Sequence, residues 1–374
     1  MEDNPNAINK WLLPFSWLYG IIVKVRNKLF DSGILEERGY PIPIISIGNI
    51  TVGGTWKTPH TEYLIRLLSK QWHVAVLSRG YKRKSEGFQL ATKDTPTSVL
   101  GDEPHQIKQK FPDIFVAVDA DRRHGIEQLM KETVAPGLDI ILMDDAFQHR
   151  YVKPGLNILL VDHNRLLCDD ALLPAGRLRE PESSKERANI VIITKCPKYM
   201  SPMDYRILTK KMDLYRYQQL YFTTLNYGNL YPLSREGKTH SLSSIQKDVN
   251  ILLLTGIASP SKLIEDLKPY NSHVHPLTFP DHHDFSATDL ALLKERFFEL
   301  PENRRMIITT EKDASRLMNH PLLDEQLKPY IFVLPIEVSF LQEKEESFKF
   351  NISDYVRKNQ RNSRLSKAEN EYSA

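Results

Sequence analysis

Cysteine is almost missing from this 374-residue chain. The two present, Cys168 and Cys196, form no CxxC pair, which excludes a disulfide framework and a cysteine zinc site and fits a reducing compartment. Charge of one sign is missing too. With 50 basic against 47 acidic residues the net charge is +3, too balanced to mark a nucleic-acid protein, although a phosphate-bearing substrate is compatible with it. No apolar run reaches the roughly 20 residues of a bilayer-spanning helix. The nearest one is broken by Pro14 and Gly20, and no small-residue cleavage site follows it, which argues against a signal peptide. No internal repeat is visible. What remains is a globular composition, 41% hydrophobic and 26% charged, long enough for two domains.

The amino-terminal stretch WLLPFSWLYGIIVKVRNKLF places Trp11, Leu12, Phe15, Leu18, Tyr19, Ile22 and Leu29 at helical spacings, with Lys10, Lys24, Arg26 and Lys28 flanking them. Two readings fit. The helix lies in a membrane interface with its basic side chains on lipid headgroups, or it docks on its own domain. Amphipathic stretches are usually core, so this segment taken alone favours docking.

Further along, apolar strand-like runs alternate with helical ones: PIPIISIG, PHTEYLIRLLSK, HVAVLS, EPHQIKQKF, IFVAVDA, HGIEQLMKE, LDIILMDD, LNILLVDH and NIVIITK. Strands apolar on both faces and separated by helices predict an α/β fold with a mostly parallel, helix-covered sheet. Ligands in such sheets sit at the carboxyl ends of strands, where GNITVGGTWKT, SRGY, DADRR, DDAFQHR and TKC fall. The pattern predicts an amphipathic helix in 1–33, a nucleotide-binding domain over 34–215 and a tyrosine-rich connection over 216–247. A second, smaller α/β domain is expected over 248–345, and a polar, fraying tail over 346–374.

Strand, glycine loop, then Lys57-Thr58 opening a helix is the order of a phosphate-binding loop. Backbone N–H groups around Gly53, Gly54 and Thr55 could wrap phosphate oxygens, Lys57 could reach the outer phosphates, and the Thr58 hydroxyl could ligate Mg²⁺. The strict pattern fails twice, because Thr51 and Trp56 occupy its two glycine positions. An apolar strand ending in Asp144-Asp145 resembles a Walker B strand, although aspartates are common at strand ends. Asp102 and Glu103 open a helix and read equally as a cap with an acidic first turn. FPDHHDF reads as a polar loop without the ligand spacing of a zinc site.

Taken in order and spacing, GNITVGGTWKTP, LSRGY, GDEP, DDAFQHR, LLPAGRLREP, FPDHH and TEKDA resemble the tetraacyldisaccharide 4′-kinases, which phosphorylate the lipid A precursor of Gram-negative bacteria. The resemblance runs from about residue 8 to 340, nearly the whole chain, and DDAFQHR and LLPAGRLREP are its specific motifs. Thr51 is no departure, since the family writes its loop TVGGTGKT. Trp56 is one, and Ala146 in place of glycine is a milder one.

The resemblance implies a P-loop NTPase-like fold and transfer of the ATP γ-phosphate to the 4′-hydroxyl of an acylated glucosamine disaccharide 1-phosphate. It implies action at the cytoplasmic face of the inner membrane, with no nucleic acid and no protein partner. It carries ATP contacts onto Thr51, Val52, Gly53, Gly54, Thr55, Trp56, Lys57 and Thr58, and Mg²⁺ onto Thr58, Glu103 and Asp144 or Asp145. Asp102 becomes the base on the sugar hydroxyl, assisted by a histidine of DHH, for which His282 is chosen over His283. Gln148, His149 and Arg150 would line the same cleft, and Arg79 and Arg177 would contact phosphate. The resemblance also turns the first helix toward the membrane reading, because the acyl chains of the substrate are there.

In such a loop the glycine before lysine keeps Cβ away from the phosphates. An indole must point out of the loop, stack on the adenine, or fill phosphate space, and a positive φ would add roughly 1–2 kcal/mol of strain. Three hypotheses follow: an active lipid kinase, a non-catalytic lipid- or nucleotide-binding relative, and a soluble P-loop enzyme with another acceptor. The aromatic, basic first helix speaks against the third.

Overall fold

The computed structural model describes residues 8–371 apart from 235, 236, 258, 259, 282 and 319, with backbone only over 361–371. Fourteen strands are formed by its described residues. In chain order they are β1 (Ile44–Gly48), β2 (Val74–Ser78), β3 (Gln89–Leu90), β4 (Phe115–Val118), β5 (Ile140–Asp144), β6 (Leu156–Asp162) and β7 (Ile190–Thr194). They continue with β8 (Gln219–Tyr227), β9 (Tyr231–Pro232), β10 (Asn250–Thr255), β11 (Val274–Thr278), β12 (Arg305–Thr310), β13 (Ile331–Leu334) and β14 (Ile336–Phe340). The helices are α1 (Leu13–Asp31), α2 (Lys57–Leu68), the single turn α3 (Thr97–Leu100), α4 (Asp102–Lys110) and α5 (Arg122–Leu129). After these come α6 (Pro202–Met212), α7 (Pro260–Leu267), α8 (Ala287–Phe298), α9 (Glu311–Leu317) and α10 (Glu345–Glu371).

Nine strands form one sheet in the order β14-β8-β7-β6-β1-β5-β2-β4-β3, and five form a second in the order β11-β10-β12-β13-β9. In the large sheet only the outermost strands, β14 and β3, run antiparallel to their neighbours. Every residue of β1, β2, β5 and β7 is buried, as expected of strands covered on both faces. β1 and β5 are direct neighbours with Ile47 opposite Asp144, so the loop after β1 and the aspartates after β5 emerge side by side.

The chain leaves the large sheet after β8, builds the five-stranded sheet, and returns. β14 lies antiparallel to β8, Ile336 opposite Tyr227, and the Gly228 amide donates to the Pro335 carbonyl at 3.0 Å. The expected segments change accordingly. Residues 216–247 are no free connection, because β8 belongs to the first sheet and β9 to the second. Nor does the second unit run to 345, since β14 lies back in the first sheet.

The carboxy-terminal stretch corrects the expectation of a fraying polar tail. α10 carries Phe348, Ile352 and Val356 one turn apart, all fully buried in the core of the large sheet. Phe348 packs tilted against Phe340 with ring centroids 4.5 Å apart, and the Tyr355 hydroxyl bridges the Ile44 amide and carbonyl at 3.2 and 3.0 Å. The stripe is one residue wide, so the mean polarity of the segment concealed it.

α1 is amphipathic in the reverse sense to a docked helix. Ser16, Gly20, Asn27 and Phe30 face the protein, where the Ser16 hydroxyl donates to the Leu172 carbonyl at 2.9 Å. A Cβ on Gly20 would lie 2.7 Å from Leu172 Cδ1, so a larger residue would have to displace that side chain. Trp11, Phe15, Trp17, Leu18, Ile21, Ile22 and Val25 point outward. Among the described residues no helix is long and apolar enough to cross a membrane.

If α10 completes the core, Phe348→Ala or Ile352→Ala should cost about 2–5 kcal/mol in denaturant unfolding of the full chain. A loss below about 0.5 kcal/mol would return this segment to a surface tail.

Candidate active site

The loop between β1 and α2 is held from inside and from one flank. The buried Asn49 amide donates to Thr55 Oγ1 at 2.8 Å and lies 3.4 Å from the Gly53 carbonyl. Gln148 Nε2 donates to the Asn49 carbonyl at 2.6 Å. On the flank, the segment LLPAGRLREP runs beside the loop: Thr51 bridges Leu178, the Val52 amide donates to the Arg177 carbonyl at 2.7 Å, and the Arg179 amide donates to Ile50 at 2.7 Å. Gly53 adopts φ 116°, and a Cβ on Gly53 or Gly54 would meet nothing within 4 Å, so the mouth of the loop is open there.

Trp56 does have the left-handed backbone that its position demands, φ 58° and ψ 40°. Its indole lies against Lys195, whose ammonium is 5.7 Å from the ring centroid and donates to Asp162 Oδ2 at 2.6 Å. As the residue before α2, Trp56 gives its first turn no side-chain acceptor, and Pro59 has no N–H. The amides of Lys57 and Thr58 therefore point their partial positive charge at the loop, as an anion site requires. His60 closes the turn by bonding the Trp56 carbonyl through Nδ1 at 2.7 Å.

Lys57 Nζ lies 3.6 Å from Asp145 Oδ1, and Arg179 reaches Asp145 Oδ2 at 3.7 Å. Asp145 sits at φ 47°, a turn that directs it away from its neighbour, and its Oδ1 is buried without a hydrogen bond. Asp144 is fully buried, and Oδ1 accepts from Thr61 at 3.0 Å. Burial raises its pKa, with the charge of Asp145 adding to the effect and Lys57 opposing it. Glu103 feels the same group. Burial and then Asp144 push it up to about 7, against Lys57. Three carboxylates therefore converge on one lysine, an excess of negative charge that suits a divalent cation. Among the described residues no three His, Cys, Asp or Glu side chains form a metal cage. Mg²⁺ needs none, since it is commonly held by one or two carboxylates together with substrate phosphates.

Asp102 and Glu103 open α4, and Asp102 is bonded by Arg316 from α9 of the other sheet's domain. Arg316 also donates to the His283 carbonyl at 3.2 Å. His282 lies outside the described residues. His283 is engaged elsewhere, with Nε2 2.9 Å from Asp289 and its ring stacked on Phe279 at 4.7 Å.

One expected placement changes. Arg150 does not line the cleft: its guanidinium bonds Asp31, Glu37 and the Asn27 carbonyl, tying down α1. Arg177 meets the loop through its carbonyl, and the guanidinium that reaches the acidic pair is that of Arg179, two residues on. Arg79 is exposed, and its charge acts on Arg122. His149 is half-buried and held neutral, its pKa lowered to about 4 by burial and then by Arg122.

Thr61, Arg122 and Arg179 were missed. Arg122 is buried, its pKa lowered to about 10 by burial despite the opposing charge of Asp144. Thr61 was legible in principle, being one helical turn after Lys57 and so on the same face.

A phosphate loop beside an acid-ended neighbouring strand, in a parallel helix-covered sheet, defines a P-loop NTPase-like α/β protein. The model of the tetraacyldisaccharide-1-P 4′-kinase family matches residues 8–356, and the chain belongs to that family. It is 66% identical over 366 residues to the tetraacyldisaccharide 4′-kinase of Phocaeicola vulgatus, covering 98% of this chain and 100% of the relative. Its identity to the Bacteroides thetaiotaomicron tetraacyldisaccharide 4′-kinase is 52% over 377 residues, covering 99% of each. LpxK from Aquifex aeolicus, solved in complex with ATP, matches with a TM-score of 0.72 at 29% identity, over 93% of this chain and 99% of that one.

The raised pKa of Glu103 has a sign that can be tested. Its folded state holds the proton more tightly, so the stabilisation is complete below the ordinary value of 4.5 and is lost as pH rises through about 7. Without nucleotide or metal, Glu103→Gln should melt with the parent near pH 4.5 and increasingly above it as pH rises toward 7, the difference levelling off beyond that. A melting difference that is constant with pH would contradict this.

Proposed function

We propose that this chain transfers the γ-phosphate of ATP to the 4′-hydroxyl of a tetraacylated glucosamine disaccharide 1-phosphate, the lipid A precursor. The observation that carries the reading is the meeting of Lys57, Asp144, Asp145 and Glu103 at the carboxyl ends of β1 and β5, beside an open glycine loop. Phosphoryl transfer needs positioning and charge neutralisation more than a strong base, and this arrangement offers both.

In this proposal the loop amides from Gly53 to Thr58 cradle the phosphates, the Val52 amide being taken by the Arg177 carbonyl, and Lys57 binds the outer ones. Thr58, Glu103 and Asp144 or Asp145 hold Mg²⁺, which when bound offsets the charge on the transferring group. Thr61 fixes one oxygen of Asp144 and so limits how that carboxylate can turn. Asp102 accepts the proton of the 4′-hydroxyl. His282 is its assisting histidine, a choice supported by the engagement of His283 with Asp289 and Phe279. Trp56 carries its strain with the ring against Lys195, which leaves the amides of Lys57 and Thr58 to the phosphates. We read the kinase as active on that ground.

We further propose that α1 lies in the headgroup layer at the cytoplasmic face of the inner membrane. Trp11, Phe15 and Trp17 are 91%, 63% and 71% exposed, while Ser16, Gly20 and Asn27, with Phe30 at the end, take the protein-facing side of the same helix. Exposed aromatic surface beside Lys24 and Lys28 suits an anionic lipid interface.

Mg²⁺-ATP-dependent phosphorylation of a tetraacylated disaccharide 1-phosphate tests the activity. The parent and Trp56→Gly should both turn over, with rates within about tenfold of each other. Lys57→Ala should lose about 10²–10³-fold. A parent and glycine variant that bind the lipid without turnover would instead establish a binding relative.

In flotation with anionic vesicles, Trp11→Ser combined with Phe15→Ser should lower binding at least about tenfold, since each buried side chain of this kind contributes about 1.5–3 kcal/mol. Unchanged flotation would remove α1 from the membrane.

A further inference from the structure

The base of the proposed reaction stands on α4, but the group that holds it comes from the other domain. Arg316, on α9, bonds Asp102 Oδ2 through a side chain only 5% exposed. The same guanidinium lies 3.6 Å from Asp313 Oδ1 and donates to the His283 carbonyl at 3.2 Å. It therefore joins the first residue of α4 to the loop FPDHHDF and to its own helix.

α9 is itself rigidly seated. Thr310 caps it and donates to Asp313 Oδ2 at 2.7 Å, and that oxygen also accepts the Gly256 amide at 3.0 Å. At the far end of α4, Lys110 bonds Glu311 of α9 and Glu62 of α2, the latter at 2.6 Å. α4 is thus held at both ends, Asp102 by Arg316 and Lys110 by Glu311, in each case from the five-stranded domain. The two bonds have different consequences. Lys110 to Glu311 sets where the helix lies. Arg316 to Asp102 engages one carboxylate oxygen, Oδ2, and so restrains how the group can turn.

We propose that Arg316 is a positioning residue for the 4′-hydroxyl phosphorylation: by holding Asp102 Oδ2 from across the domain boundary, it restrains how the carboxylate is turned toward the acceptor. The proposal rests on the reading of Asp102 as the base. A lysine would keep the charge but lose the planar fork that fixes orientation, so arginine is required for geometry.

The test uses the full chain with Mg²⁺-ATP and the acylated disaccharide. Arg316→Met should lower kcat about 10²-fold, as expected of a small misplacement of a reacting group, with KM for ATP within about twofold of the parent. Arg316→Lys should recover part of that loss. On an Asp102→Asn background, Arg316→Met should cost nothing further, because two residues acting through one step are not additive. Glu311→Gln, which loosens the same interface away from Asp102, separates seating from orientation: kcat should stay within about threefold of the parent while the melting temperature falls.

A kcat for Arg316→Met within about threefold of the parent would overturn the proposal. So would losses that multiply in the double variant, or a Glu311→Gln loss as large as that of Arg316→Met. Full activity in Asp102→Asn alone would instead overturn the reading of Asp102 as the base.

Discussion

Lys57 faces more negative charge than one ammonium can neutralise. Asp145 lies 3.6 Å from it, buried Asp144 stands one residue away, and Glu103 belongs to the same electrostatic group. Burial makes Asp144 and Glu103 costly to ionise, so without further positive charge the site is held under tension. Much of the molecule is arranged around that fact. β1 and β5 must be neighbours for lysine and aspartates to meet. Asn49, Gln148 and the 177–179 segment must hold the loop in place. Thr61 and Arg179 each take one aspartate oxygen. In the proposed function, Mg²⁺-ATP is the ligand whose charge pattern would answer this one.

The second domain interrupts the large sheet between two paired strands, so its position is referred directly to that sheet. The pair β8–β14 fixes where the chain leaves and returns, and the contacts of α4 with α9 fix how the domain sits. The Glu62–Lys110–Glu311 group joins the phosphate-loop helix, the Asp102 helix and the second domain through one ammonium. Such a buried bridge contributes little net stability once desolvation is counted, but removing one member is costly, which makes the geometry specific. The motif TEKDA is spent on this seating: Thr310 caps, Glu311 bridges, Lys312 bonds Asp281 at 2.7 Å, and Asp313 receives Gly256.

α1 inverts the usual logic of a surface helix. Its small and polar residues make the contacts to the protein, so packing gains come from close approach and hydrogen bonds at Ser16 and Gly20. Arg150 adds charge-assisted bonds to Asp31 and Glu37 at 2.7 and 2.6 Å. The aromatic residues are thereby left outside, an arrangement that water disfavours and a lipid interface rewards.

The sequence by itself determined the parallel α/β character, the loop, the acid-ended strand and their placement at one edge, because burial on both faces and glycine-lysine punctuation are local signals. It also located Trp56 as the departure, though not the direction of its ring. Tertiary structure alone decided the rest. Whether Ser16 or Trp17 faced inward depended on what α1 met. β14 looked like any late strand until β8 claimed it, and α10 looked like a tail because its three buried residues are diluted by polar ones. Arg150 turned from the cleft to α1, Arg179 reached the acidic pair, and Arg316 crossed to Asp102. Each is a contact between residues far apart in the chain, and periodicity along a single element carries no information about the partner on another.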